Sequence, residues 1–160
     1  AAALYAVEFG GSRNRVLDGD LEARSYLRFG DNIVWAQAVR GVMTGTLRRE
    51  SDLPQAYWKE FGGEGSVRGV ERNSIQAVGG GRGGLVLRSE LRLAAGPAGF
   101  VLFWDRAGVW RRVGEAKWGD MVNGYGGGVR WDLGIPLRLD LGWGSDVGKP
   151  EVYVSIGQAF

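Results

Sequence analysis

Apolar and polar side chains alternate one by one along most of this sequence, and this pattern limits the fold more than any other feature. In the run 137–144, three leucines and a tryptophan occupy the odd positions, while Arg138, Asp140 and two glycines occupy the even ones. A period of two residues is typical of a β-strand, whose successive side chains point to opposite faces of a sheet. No helical stripe of comparable length is visible in the sequence. The chain is therefore predicted to be all-β and antiparallel.

Eight segments carry this alternation, and the connections between them alternate in length. The predicted strands are 2–10, 20–30, 33–46, 84–94, 99–110, 124–135, 137–145 and 151–160. The first six connections are in turn long, short, long, short, long and short: 11–19, 31–32, 47–83, 95–98, 111–123 and Pro136. Outer-membrane β-barrels have short periplasmic turns at one rim and longer extracellular loops at the other. The pattern indicates one transmembrane barrel domain, 1–160, with a long loop at 47–83.

The alternation alone does not say which face of the sheet lies inside. A soluble barrel of the lipocalin type would turn its leucines inward, whereas a membrane barrel turns them toward lipid. One face of the predicted strands carries seven arginines and six carboxylates: Glu8, Glu22, Arg24, Arg28, Arg40, Arg88, Glu90, Arg92, Asp105, Arg130, Asp132, Arg138 and Asp140. The predicted strands contain no lysine, and arginine suits a confined ion-pair network better than lysine does. These features favour the membrane barrel.

Aromatic residues near the strand ends also favour the membrane barrel. Phe29, Trp35, Phe100 and Phe160 fall at the short-turn end, and Phe9, Trp110 and Trp143 at the long-loop end. Two aromatic belts are typical of the two interfaces of a membrane. We therefore expect membrane lipids to surround the sheet.

Composition excludes several classes of function. The chain has no cysteine and no histidine, so disulfides, thiolate nucleophiles and a Ser-His-Asp triad are excluded. Twenty basic residues against 18 acidic ones give a net charge of only +2, and no nucleic-acid partner is expected. Asp18-Gly19-Asp20 is interpreted as a turn rather than a calcium site. No cofactor and no metal are predicted.

One arginine in the long loop stands out. Arg68 lies between Val67 and Gly69 in a glycine-rich stretch, where it can reach carboxylates on the polar face. Alternation places Glu90 and Asp105 on that face of adjacent strands, and a guanidinium can bridge two carboxylates. The alternatives are a solvated loop arginine and a catalytic acid–base pair made by the two acids. We favour a structural clamp, and no enzymatic activity is predicted.

The segment from Phe61 onward resembles the BamA/TamA-type outer-membrane assembly and translocation barrels. The motifs that carry the resemblance are Val67-Arg68-Gly69, Glu90, Phe103-Trp104-Asp105-Arg106-Ala107-Gly108 and Ser155-Ile156-Gly157-Gln158-Ala159-Phe160. The resemblance implies a loop that folds into the barrel lumen, an arginine held by acidic strand residues, and a bacterial outer-membrane location. It also implies that Ile156, Gly157 and Phe160 belong to a C-terminal assembly signal. Val70 stands where this family prefers an aromatic residue.

Family barrels have sixteen strands, and five of them follow the long loop, as they do in this sequence. The interior of an eight-stranded barrel is filled by its own side chains, so a loop of this length would not fit inside it. The chain is therefore expected to be the C-terminal half of a larger barrel. The missing strands come from a second copy or another chain, or have been cut away. The competing possibility is a closed eight-stranded barrel with the loop over its mouth.

Three functions remain open on the sequence. The first is insertion or translocation of other outer-membrane polypeptides. The second is a non-catalytic membrane anchor or pore for a partner or passenger protein. The third is a soluble barrel that binds a small apolar ligand.

Overall fold

The computed structural model of the chain describes residues 3–6, 16–46, 53–132, 134–145 and 149–157. The strands are β1 (Ala3–Ala6), β2 (Val16–Phe29), β3 (Ile33–Thr46), β4 (Gly83–Ala95), β5 (Ala98–Trp110), β6 (Val122–Asp132), β7 (Pro136–Gly144) and β8 (Glu151–Ile156). They form one antiparallel sheet in the order of the sequence. This confirms the predicted all-β fold and its eight strands. In these ranges no helix has the length and apolarity needed to cross a membrane.

The largest difference from the predicted boundaries is at β2. This strand begins at Val16, inside the predicted connection 11–19, and it pairs with β3 as far as Thr46. The turn predicted at Asp18-Gly19-Asp20 is therefore wrong, because all three residues lie within the strand. Asp18 accepts a hydrogen bond from the hydroxyl of Thr44 and pairs with Lys59 of the loop at 2.5 Å. These contacts with neighbouring elements outweigh the local turn preference of the sequence.

The connections between β2 and β7 follow the predicted alternation of short and long. Residues 11–15 of the first predicted connection lie outside the described residues. Residues 30–32 join β2 to β3, and Gly96 and Pro97 join β4 to β5. The connection between β3 and β4 is described from residue 53 and contains one short 3-10 turn, Gln55–Tyr57. Five strands follow this loop, which is named the long loop below.

The two faces of the sheet differ sharply in polarity. The apolar face exposes large hydrophobic side chains on nearly every strand: Leu21, Leu27, Val39, Leu91, Leu93, Leu102, Leu141, Val152, Val154 and Ile156. The opposite face, called the polar face, buries charged side chains: Arg88, Glu90, Asp105, Arg138 and Asp140. A soluble barrel would pack its leucines against one another in a dry interior. The sheet instead has the polarity predicted for contact with lipid.

A small apolar core lies between the long loop and the polar face. It consists of Val42, Phe61, Val67, Val70, Ile75, Val86, Ala107 and Val109. Gly84 of β4 leaves room for the ring of Phe61, because a β-carbon there would collide with that ring. Val70, which replaces an aromatic residue of the family motif, is 3% exposed in this core. The core fixes the loop against strands β3, β4 and β5.

Candidate functional site

The part of the long loop that carries Arg68 is a tight, hydrogen-bonded lobe. The backbones of Phe61 and Ile75 exchange two hydrogen bonds of 2.9 and 3.0 Å, which closes the base of the lobe. Nearer its tip, the Gly63 N–H donates to the carbonyl of Val70 at 2.7 Å, and the Ser66 hydroxyl accepts from Gly62 N–H at 2.7 Å. The positive φ angles of Gly62, Gly63 and Gly69 (116°, 80° and 83°) permit these sharp turns. The lobe holds Val67-Arg68-Gly69 against the sheet.

The guanidinium of Arg68 is surrounded by three carboxylates. Its Nε and Nη2 donate to the two oxygens of Asp105 at 2.6 and 2.9 Å. Its Nη1 donates to Glu90 at 2.6 Å and to Asp140 at 3.2 Å. All four side chains are 0% exposed. A buried charge requires this degree of pairing, since removing one partner leaves the other uncompensated.

Each of these carboxylates also faces a second arginine. Glu90 accepts from Arg92 Nε at 2.8 Å, and Asp140 accepts from Arg130 Nη1 at 2.5 Å. Arg88 Nε lies 3.7 Å from Asp105, and Arg138 Nε lies 3.2 Å from Asp140. The cluster is therefore a network of shared carboxylates rather than a single ion pair.

Burial and ion pairing shift the pKa of Arg68 in opposite directions. Burial alone would lower its pKa, but the hydrogen bond to Asp105 and the charges of the three carboxylates raise the pKa above its ordinary value. The guanidinium also stacks on Phe103 of β5, with its Cζ atom 3.6 Å from the ring centroid. Such a cation–π contact adds attraction in a desolvated site. Arg68 is thus charged and held on several sides.

Glycines of β6 and β7 let the backbone of the motif lie directly on the sheet. A β-carbon at Gly124 would collide with the carbonyl oxygen of Arg68, and one at Gly142 would meet the amide nitrogen of Gly69. The Gly69 N–H donates to the phenol oxygen of Tyr153 on β8 at 2.9 Å. The motif therefore contacts every strand from β4 to β8.

A further contact joins the lobe to the sheet beside Arg68. The carboxylate of Glu64 accepts a hydrogen bond from Arg138, and its carbonyl accepts one from Arg88 Nη2 at 3.2 Å. A polar cavity of about 860 Å³ lies between the lobe and strands β2, β3 and β8. In the described part of the chain, no group of acidic residues is arranged to hold a metal ion.

The structure brings together five of the predicted site residues: Val67, Arg68, Gly69, Glu90 and Asp105. The predicted C-terminal signal lies elsewhere. Ile156 is exposed on the apolar face, and Gly157 follows β8 with φ of 103° while its N–H donates to Pro136 O at 2.8 Å. Phe160 lies outside the described residues.

The Arg68 site also includes three residues that the sequence pattern does not single out: Asp140, Phe103 and Tyr153. All three occupy the same face as Glu90, and the alternation of their strands does indicate that face. Which of the residues on the polar face reach Arg68 depends on the curvature of the sheet and the depth of the lobe. A period of two residues predicts neither the curvature of the sheet nor the depth of the lobe.

Comparison with known proteins identifies the family. The model of the Omp85 superfamily domain matches residues 2–160. The chain belongs to the Omp85 superfamily. The predicted resemblance is thereby confirmed, and with it the bacterial outer membrane as the location of the chain.

A solved structure has the fold of this Omp85 chain. It is the crystal structure of BamA from Haemophilus ducreyi lacking POTRA domains 1-3, with a TM-score of 0.72 and 18% sequence identity. The match covers 91% of this chain and 35% of that one, so the present chain spans about a third of the BamA chain. At this identity the likeness is one of fold. No curated protein sequence matches the chain.

Proposed function

We propose that this Omp85 chain is part of an outer-membrane barrel that inserts or translocates polypeptides and catalyses no chemical reaction. Family membership and the BamA-like fold support the general activity. The observation that carries the specific mechanism is the complete burial of Arg68 among Glu90, Asp105 and Asp140. In this mechanism Arg68 locks the long loop to the polar face and so sets the shape of the barrel.

The ion pairs of Arg68 with Glu90, Asp105 and Asp140 are called the lock below. They hold the loop because separating them costs free energy. If the loop left the sheet by a small distance, the buried guanidinium of Arg68 would lose all three carboxylates before water could replace them, and each carboxylate would keep only its second arginine. Uncompensated burial of one partner costs about 3–5 kcal/mol, so partly undocked positions are unfavourable. The loop therefore has two states, fully docked or fully released. Such a two-state element can couple loop position to the opening of the barrel.

We also propose that residues 1–160 form one domain of a barrel wider than eight strands. Eight strands enclose a space that their own side chains fill. Here the polar face instead holds the lobe and a cavity of about 860 Å³. The remaining strands come from a second copy, from another chain or from another part of the same polypeptide. Lipids cover the apolar face.

The edge of β8 provides the place where a substrate strand would enter. Within the described residues, β8 pairs with β7 alone and ends the order of the sheet. In the complete barrel this edge meets one of the remaining strands, and a seam that opens there would expose a template for a further strand. We propose that Ile156, Gly157 and Phe160 mark this seam and that incoming outer-membrane polypeptides pair there.

The test replaces the arginine and follows insertion. Arg68→Ala and the control Arg72→Ala, an exposed arginine of the same loop, are reconstituted into liposomes with an unfolded outer-membrane protein as substrate. We expect Arg68→Ala to slow substrate insertion and Arg72→Ala to leave it unchanged. Equal insertion by both variants would contradict the lock. A reconstituted chain that inserts nothing but retains a passenger protein would favour the anchor or pore.

A further inference from the structure

One arginine of β5 lies on the apolar face of the sheet. Arg106 directly follows Asp105, and because successive side chains of a strand point to opposite faces, it points away from the lock. Its paired neighbours are Leu87 on β4 and Asn123 on β6, and its side chain is half-buried. A charged group on a surface that faces lipid is costly unless it has a partner. The lock does not supply one, because it is on the other face.

A row of aromatic side chains on the apolar face shows at which depth Arg106 lies. Trp104 on β5 is paired with Tyr125 on β6, which is paired in turn with Trp143 on β7. Trp104 is 40% exposed and Tyr125 is 53% exposed. Tryptophan and tyrosine on a surface that faces lipid are typical of the headgroup level. Arg106 is two residues beyond Trp104 toward the long connections, which are extracellular in outer-membrane barrels. It therefore lies at the headgroups of the outer leaflet.

The connection between β5 and β6 folds back onto the apolar face and fixes Arg106. The guanidinium stacks on Trp118 with its Cζ atom 4.3 Å from the ring centroid, and Nη2 donates a hydrogen bond to the Trp118 carbonyl. A β-carbon at Gly108 would collide with the ring of Trp110 and the side chain of Met121, so these two residues also cover this part of β5. Trp118 itself is 57% exposed. Arg106 is thus held beside an exposed aromatic ring.

Within the described residues, no carboxylate neutralises Arg106. Its polar contacts there are the hydrogen bond and the stack with Trp118. Glu115 and Asp120 of the same connection are exposed, and neither makes an ion pair with it. Nε of Arg106 is buried, whereas Nη1 is accessible. The arginine therefore presents one accessible donor and an unneutralised charge.

The segment around Arg106 has a positive net charge. Residues 106–121 contain two acidic residues and four basic ones, which gives a net charge of +2. The basic residues are Arg106, Arg111, Arg112 and Lys117. The headgroups of outer-membrane lipids carry negatively charged phosphates, which attract basic residues at the membrane surface. A guanidinium suits the geometry of a phosphate particularly well.

We propose that Arg106 and Trp118 bind the phosphate of an outer-leaflet lipid. The phosphate accepts a charge-assisted hydrogen bond from Nη1 of Arg106. The exposed ring of Trp118 packs against the apolar part of the same lipid next to its headgroup. The bound lipid supplies the negative charge that the protein does not provide on this face. The proposal is independent of the insertion function, because it requires only that the apolar face contacts lipid.

The test uses phosphatidate as the probe. The chain in nonionic micelles is titrated with phosphatidate, with diacylglycerol of the same acyl chains and with inorganic phosphate, and native mass spectrometry measures the bound fraction. We expect saturable binding of phosphatidate and at least fivefold weaker binding of the other two. Arg106→Gln should weaken phosphatidate binding by about fivefold, because it removes the charge and the charged hydrogen-bond donor. Arg106→Lys keeps the charge and should bind phosphatidate more tightly than Arg106→Gln does.

The control is Arg72→Gln, since Arg72 is an exposed arginine of the long loop that lines the polar cavity instead of the apolar face. If Arg106→Gln fails to fold, Trp118→Leu carries the test, because Trp118 is exposed. Loss of the stack should weaken phosphatidate binding by about threefold. Equal phosphatidate affinity of the tested variant and Arg72→Gln would overturn the proposal. So would Arg106→Lys binding as weakly as Arg106→Gln, or diacylglycerol or inorganic phosphate binding as tightly as phosphatidate.

Discussion

Arg68 and Asp105 are joined by three hydrogen bonds. The backbone N–H of Arg68 donates to Asp105 Oδ2 at 3.2 Å, while Nε and Nη2 donate to Oδ2 and Oδ1 at 2.6 and 2.9 Å. One carboxylate thus fixes both the backbone and the side chain of the motif residue. A lysine cannot make the forked contact, since its ammonium group is a point donor. The site therefore requires arginine, and a positive charge alone does not satisfy it.

We expect Arg68→Lys to destabilise the chain although it keeps the charge. The loss of the forked contact with Asp105 should lower the free energy of unfolding by about 1.5–3 kcal/mol, the value of hydrogen bonds to charged groups. Urea unfolding in micelles, followed by the fluorescence of the seven tryptophans, measures the change. Arg72→Lys is the control and should have no effect. Equal unfolding midpoints for both variants would show that charge alone holds the loop.

Gly124→Ala should displace the motif without changing any charge. The new β-carbon would collide with the carbonyl oxygen of Arg68, and overpacking of this kind costs about 1–3 kcal/mol. We expect the long loop to become sensitive to limited proteolysis. Gly41→Ala is the matched control, because nothing lies within 4 Å of a β-carbon on that strand glycine. A loop equally protected in both variants would mean that the motif does not need close contact with β6.

Tyr153→Phe tests the hydrogen bond between the motif and β8. The Gly69 N–H donates to the Tyr153 phenol at 2.9 Å, and leaving a buried donor without a partner costs about 1–3 kcal/mol. We expect faster amide hydrogen exchange at Gly69 and Val70, measured by mass spectrometry. Tyr125→Phe, on an exposed side chain of β6, should leave this exchange unchanged. Unchanged exchange in Tyr153→Phe would show that the hydrogen bond to Tyr153 does not hold Gly69 in place.

The sequence predicts the strands and their faces well because both follow from the alternation of apolar and polar residues with a period of two. The alternation places Glu90 and Asp105 on one face, and the structure has both buried there. Asp140 was not predicted as a partner of Arg68, since it is 72 residues away in sequence. Its contact depends on how far the sheet curves, which local residue patterns do not encode. The beginning of β2 was missed because pairing with β3 outweighs the turn preference of Asp18-Gly19-Asp20.

The role of the glycines beneath the motif is a second feature that local residue patterns do not predict. From the sequence alone, a glycine in a strand predicts only weaker local packing. This applies to Gly124, Gly142 and Gly144. In the structure, a β-carbon at any of them would collide with the backbone of Arg68 or Gly69. Their role depends on a segment more than fifty residues away, so it becomes visible only when the loop is docked.

The polarity of the sheet predicts how charge is tolerated at different depths. Val39 is 44% exposed on the apolar face near the middle of β3, and Met43 is 59% exposed on the same face near the long-loop end of that strand. A charged side chain facing lipid costs about 2–4 kcal/mol at the middle of the bilayer and about 0–1 kcal/mol near its surface. We therefore expect Val39→Lys to reduce the folded fraction in liposomes strongly and Met43→Lys to reduce it little. Heat-modifiable migration in gel electrophoresis measures both fractions. If the two lysines were tolerated equally, the apolar face would not be the surface that contacts lipid, and the proposed orientation of the lock inside the barrel would fail with it.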